Sequence, residues 1–170
     1  DELKMLRAVR RLAAEQPIEL VPTLMCAHTV PEEHRAERAR YVALCANEIV
    51  PAVAEAGLAR ACDAFVDEGA FTHDEARKIL GAAHERGMAL RLHVDQLTGN
   101  GGAQLAAELG AATADHLEHV TPEGIAALAR AKVSAVLVPT STLFLRVKPY
   151  APGRKLREAG LNVALCTNVN

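Results

Sequence analysis

The sequence predicts an α/β protein built from consecutive parallel βα units, and three observations carry that expectation. Six short β-rich runs alternate with segments of helical periodicity along all 170 residues. Neither a GxGxxG nor a Walker A string is present, which removes the usual marks of an open nucleotide-binding sheet. Polar residues, several of them histidines, stand directly after many of the β runs, where a (β/α)8 barrel gathers its functional groups.

The elements follow in order. Leu3, Leu6, Val9, Leu12 and Ala13 recur at helical spacing, predicting an amphipathic helix from Asp1 to Glu15 that Pro17 stops. Ile18–Leu24 reads as the first strand, and a helix is expected within Arg35–Ala56, closed by Gly57. Asp63–Val66 is strand-like. Thr72 with Glu75 three residues on forms a capping box for a helix running to about Arg86. Ala89–His93 is the third strand, Gln104–Leu109 a helix, Ala112–His116 the fourth strand, and Pro122–Ala131 a helix with proline at its first turn. Val133–Val138 is the clearest buried strand. A loop with Pro149, Pro152 and Gly153 leads to a helix near 154–159 and a last strand at Leu161–Thr167. A complete barrel has eight strands and typically ~250 residues. The chain therefore reads as one partial barrel domain, residues 1–170, carrying about six of the eight units of a longer protein.

Composition narrows the function. Half the chain is hydrophobic, enough for a packed core, and 19 basic against 21 acidic residues with no basic run argue against nucleic-acid binding. No apolar run approaches the ~18–20 residues of a membrane span, and no signal segment opens the chain, so a soluble protein without membrane partners is expected. Cys26, Cys45, Cys62 and Cys166 form no CxxC pair, fit no zinc knuckle, and are expected reduced and buried, as in a cytoplasmic protein.

The candidate chemistry lies at the strand ends. His93 leaves its strand in LHVDQL, where an imidazole can ligate a metal or simply hydrogen-bond a neighbouring loop; position alone leaves both open. Asp95 and Gln96 can hold a ligand or cap the next helix. His116 ends the following strand in ADHLEH, and two successive strands ending in histidine suit a metal-dependent hydrolase. His28 is a third histidine at the same face, and Glu68, Arg146, Asn168 and Asn170 are further strand-end or loop groups. His34, His73 and His84 read as solvated, and His119 as a loop residue. There is no GxSxG string, and no lysine ends a strand.

DELKMLR, CAHTVP, DEGAF, LHVDQL, GGAQLAAELGA, ADHLEH and FLR, in this order, together resemble the imidazolonepropionases, a family of the amidohydrolase superfamily. The resemblance implies the third to eighth strands of an amidohydrolase barrel, without the first strand's HxH pair and the accompanying β-sandwich. It implies metal-dependent hydrolysis of the cyclic amide C–N bond of 4-imidazolone-5-propanoate to N-formimidoyl-L-glutamate, in histidine degradation. By resemblance His93 is a metal ligand, His116 a proton-transfer or oxyanion-stabilising group, Gln96 and His28 substrate contacts, and Asn170 a product contact. One Zn²⁺ or Fe²⁺/Fe³⁺ ion per subunit, a small-molecule substrate, a homodimer of the full-length protein and a cytoplasmic location are also implied. One position departs. Relatives read T-D-x-N at the eighth strand, with the aspartate on the metal, whereas this chain has Asn168 there. A different ring substrate, an inactive homologue, or a non-catalytic binding barrel that has lost the metal are the alternatives that this departure raises.

Overall fold

The computed structural model describes residues 2–168. Six strands, β1 (Thr23–Ala27), β2 (Ala61–Val66), β3 (Ala89–Val94), β4 (Thr113–His116), β5 (Ser134–Leu137) and β6 (Val163–Leu165), pair in chain order into one sheet. Their pairings β1–β2, β3–β4, β4–β5 and β5–β6 are parallel. The helices are α1 (Glu2–Leu12), α2 (Arg38–Leu44), α3 (Val50–Glu55), α4 (His73–His84), α5 (Gly102–Glu108), α6 (Pro122–Ala131), α7 (Pro139–Leu145) and α8 (Gly153–Glu158). No helix among the described residues is long and apolar enough to cross a membrane. The chain divides into two compact units: residues up to Ala64 with Ala70–Leu90, and Phe65–Gly69 with the chain from Arg91 onward.

In the first unit, β1 begins five residues later than the sequence suggests. Pro22 has no N–H for a ladder, whereas Leu24, Cys26 and Ala27 are buried, and Thr23, Leu24 and Ala27 register on Ala61, Cys62 and Ala64 of β2. Tyr41 donates its hydroxyl to the Cys26 carbonyl at 2.8 Å, fastening α2 to β1. The single helix expected here is instead two, joined by a π turn at Cys45–Ile49. Pro51 explains it: its ring and missing N–H disrupt the α-helical bond to the carbonyl four residues back, and a wider turn accommodates the break. Cys26, Cys45 and Cys62 are free and buried, as expected, but Cys166 is exposed. The Cys45 thiol is pushed far up by its hydrogen bond to Cys26 and by burial, so it stays protonated and inert.

The capping box is present. Thr72 Oγ1 accepts from the Glu75 amide at 3.3 Å, and Glu75 Oε2 accepts from the Thr72 amide at 2.9 Å. The same carboxylate takes a two-pronged bond from Arg38, Nε to Oε1 at 2.6 Å and Nη2 to Oε2 at 2.8 Å, while Nη2 also reaches the Ala70 carbonyl. Arg38 lies over the Phe71 ring, 5.1 Å from its centroid. These bonds from Arg38 hold the Glu75 carboxyl down at about 2, from an ordinary 4.5. Because the folded value is the lower one, the ion pair contributes fully above about pH 4.5 and its contribution disappears as pH falls through about 2. Glu75→Gln keeps the cap and removes the charge. We expect it to cost about 1–2 kcal/mol at neutral pH, discounted because the Arg38 side chain is 36% exposed. Urea unfolding at a series of pH values should show the difference from wild type vanishing toward pH 2; a constant difference would disprove the ion-pair account.

In the second unit, β4 registers on β3 with His93 beside Asp115 and Val94 beside His116, and β5 and β6 continue the ladder. Asp95 caps α5: its two carboxylate oxygens accept from the Gly102 and Ala103 amides at 3.0 and 3.1 Å. Gly102 must be glycine, since a Cβ there would stand 2.5 Å from Val94 Cβ. Thr121 caps α6, with Pro122 at its first position. Helix α7 occupies part of what the sequence presents as loop. Its Pro-Thr-Ser-Thr start is poor in helix formers, and a tertiary bond from Thr142 compensates. Strand β6 is shorter than expected, three residues rather than seven.

Candidate functional site

Parallel strands end at one edge, so in each unit the residues following the strands are brought together. In the first unit His28, just past β1, places Nε2 3.4 Å from Asp63 Oδ1. Asp63 lies inside β2 and is only 3% exposed. A carboxylate in the middle of an otherwise apolar strand, Ala-Cys-Asp-Ala-Phe-Val, is an uncommon burial, since a charge there must be paired or bind a cation. Sequence reasoning passed over Asp63, although that interruption of the apolar run was the visible signal.

In the second unit His93, in β3, and His116, which ends β4, bring their rings to 5.3 Å between centroids, tilted by 54°. The two strand-end histidines therefore meet. His116 is 1% exposed and has a left-handed backbone (φ 80°), as does Leu117 (φ 68°). Such conformations cost roughly 1–3 kcal/mol each outside glycine and persist only where the surroundings impose them. Here the Leu117 amide donates to the Val94 carbonyl at 3.1 Å and the His119 amide to the Asp95 carbonyl at 2.8 Å. Leu117 itself is fully buried. The backbone is thereby bent so that the chain after β4 runs back over the end of β3.

Two more acidic groups organise these loops, and both escaped the sequence reading. Asp67, which follows β2, accepts at Oδ1 from the Glu68 and Thr98 amides and the Thr98 hydroxyl, and at Oδ2 from the Gln96 and Leu97 amides. It fixes the segment carrying Gln96. Glu118 is 4% exposed, accepts the Thr142 hydroxyl at 2.7 Å on Oε1, and faces His116 Nδ1 at 3.5 Å with the same oxygen. Their common signal was an acidic residue at the end of a strand or just beyond it. Of the other sequence candidates, Asp95 serves as a helix cap, and Glu68 and Arg146 are exposed. Gln96 and Asn168 line one pocket of about 550 Å³ with Thr140, Ser141 and Phe144. The Thr140 hydroxyl holds the Thr167 carbonyl at 2.8 Å beside it. Asn170 lies outside the described residues.

No protein-family model matches the chain. Curated proteins do. The imidazolonepropionase of Myxococcus xanthus is 69% identical over 169 residues, covering 99% of this chain and 40% of that protein. The imidazolonepropionase of Anaeromyxobacter dehalogenans strain 2CP-1 is 50% identical over 172 residues, covering the whole chain and 41% of its own length. Among solved structures, guanine deaminase from C. acetobutylicum superposes with a TM-score of 0.71 at 14% identity over 97% of this chain and 43% of that one. An adenosine deaminase from Xanthomonas campestris with bound zinc gives 0.65 at 19% over 92% and 38%. An amidohydrolase from Burkholderia ambifaria with bound zinc gives 0.68 at 18% over 96% and 45%. These structural likenesses establish the fold, a stretch of consecutive βα units of the amidohydrolase-type barrel. The sequence matches show what the chain is similar to: over nearly its whole length it matches imidazolonepropionases, and it spans about 40% of the length of the curated relatives it matches.

Proposed function

We propose that the whole protein to which this chain contributes hydrolyses the cyclic C–N bond of 4-imidazolone-5-propanoate, giving N-formimidoyl-L-glutamate. The observation that carries this reading is the pair of histidines at successive strand ends, His93 and His116, within a chain 69% identical to an imidazolonepropionase. The donor types present fit a metal: the first unit holds a buried carboxylate at Asp63, and the second holds the His93 imidazole at the end of its strand. Zn²⁺ and non-haem iron both accept that nitrogen and oxygen chemistry. The buried Asp63 carboxylate also brings a negative charge that Asn168 does not.

When bound, such an ion would lower the pKa of water to about 7 and polarise the ring carbonyl. His116 takes the proton released as water adds to that carbonyl and delivers it to the ring nitrogen as the C–N bond breaks. Gln96, held by Asp67, and His28 orient the ring, and Asn170 contacts the opened product. The same reading includes a homodimeric, cytoplasmic protein with one ion per subunit.

Turnover of 4-imidazolone-5-propanoate by the full-length protein, beside its Asn168→Asp variant, tests the proposal. Wild-type turnover is expected, with the variant about a hundred-fold faster if the carboxylate adds general-base assistance. Activity in the variant alone would mark a scaffold disabled at position 168. Absence of turnover in both would refute the substrate assignment.

A further inference from the structure

Glu118 belongs to none of the catalytic or binding roles assigned above, yet its carboxylate faces the His116 ring at 3.5 Å. A carboxylate only 4% exposed is expensive to bury, and an apolar residue of similar volume would ordinarily serve stability as well or better. Its surroundings are arranged around one oxygen. Oε1 receives the Thr142 hydroxyl at 2.7 Å and lies 3.5 Å from His116 Nδ1, at the long end of a hydrogen bond. Oε2 is buried with no hydrogen-bond partner among the described residues. The Glu118 side chain lines a cavity of about 150 Å³ together with Thr142, Val138, Pro139 and Tyr150, space for a few waters at ~30 Å³ each. Thr142 is itself 2% exposed and comes from α7, so two separate elements converge on this carboxylate.

We propose that Glu118 is the positioning residue of His116: it accepts a hydrogen bond from Nδ1–H, fixes the imidazole as the Nδ1–H tautomer, and so leaves Nε2 to exchange the reaction's proton. Thr142 holds the carboxylate in place for that role. This inference rests on the proposed function for its chemistry but not for its geometry. A ring nitrogen's tautomer is set by the bond that the other nitrogen makes, and an imidazole in the wrong tautomer cannot act as base at the required atom. The left-handed backbone at His116 and Leu117 brings Glu118 back under the ring, which an ordinary strand exit would not do. Bonds of this kind are often long without substrate and tighten when the site is filled.

The test uses the full-length protein with ¹⁵N-histidine and reads the His116 tautomer from long-range ¹⁵N–¹H correlations, assigned by their loss in His116→Asn. Wild type should show Nδ1–H. Glu118→Leu, which removes the acceptor at similar volume, should lose that preference and lower kcat about a hundred-fold, with KM changed less than about three-fold. Thr142→Val should move both readouts the same way by less, and Glu118→Asp should recover part of the loss. A folded Glu118→Leu protein with an unchanged tautomer and kcat would overturn the proposal, as would an Nε2–H tautomer in wild type. If Glu118→Leu does not fold, Glu118→Gln is read against the same two criteria. Should the wild type prove inactive on the imidazolone, the tautomer measurement still decides the role of Glu118 separately from the substrate.

Discussion

Replacing His93 with alanine in the full-length protein is expected to abolish stoichiometric metal binding and lower turnover about a thousand-fold. The imidazole sits in β3 against His116. Its removal takes away an imidazole donor, and a catalytic zinc usually has only three protein ligands, so the loss of one is not made good by the others. A metal's stabilisation of developing charge is worth several kcal/mol, and about 4 kcal/mol corresponds to that thousand-fold. The competing account makes His93 a packing partner of His116 and nothing more. It predicts a loss of about 1 kcal/mol of stability, because the ring is only half-buried, and an unaltered metal content. Metal analysis of the purified variant separates the two directly. Full retention of the ion would remove His93 from the ligand set, whatever happened to the rate.

Much of the fold is legible in the sequence because parallel strands buried on both faces appear as apolar runs between helical segments. Val133–Val138 shows this and contains β5, and the Thr72–Glu75 capping box and the proline at 122 mark helix starts that the structure contains. The errors have tertiary causes. Met25, Cys26 and Ala27 look less strand-like than Ile18–Leu24, yet pairing with β2 decides the matter. Helix α7 depends on a bond between Thr142 and a residue 24 positions away. The candidate site divides along the same line. His93, His116, Gln96 and Asn168 were visible because a single side chain at a strand end is a local feature. Asp67 and Glu118 were not, because their importance lies in hydrogen bonds to loops distant in sequence, which only the folded chain reveals.

Asp67→Ala is therefore the substitution with the largest expected cost outside the proposed metal ligands. This carboxylate, 5% exposed, accepts five hydrogen bonds, four from backbone amides and one from the Thr98 hydroxyl, at 2.6 to 3.1 Å. Each donor left unpaired in a buried setting costs about 1–3 kcal/mol, and relaxation of the 96–98 segment toward water recovers part of it. A net loss of about 3–4 kcal/mol is expected in urea unfolding. Amide hydrogen exchange at Gln96, Leu97 and Thr98 should accelerate more than elsewhere. Because Gln96 is positioned through its own amide, Asp67→Ala should also reproduce much of the kinetic effect of Gln96→Ala. The two substitutions combined should then cost less than the sum of each alone. Strict additivity, or a stability change below about 1 kcal/mol, would show that the segment carrying Gln96 holds its place without Asp67.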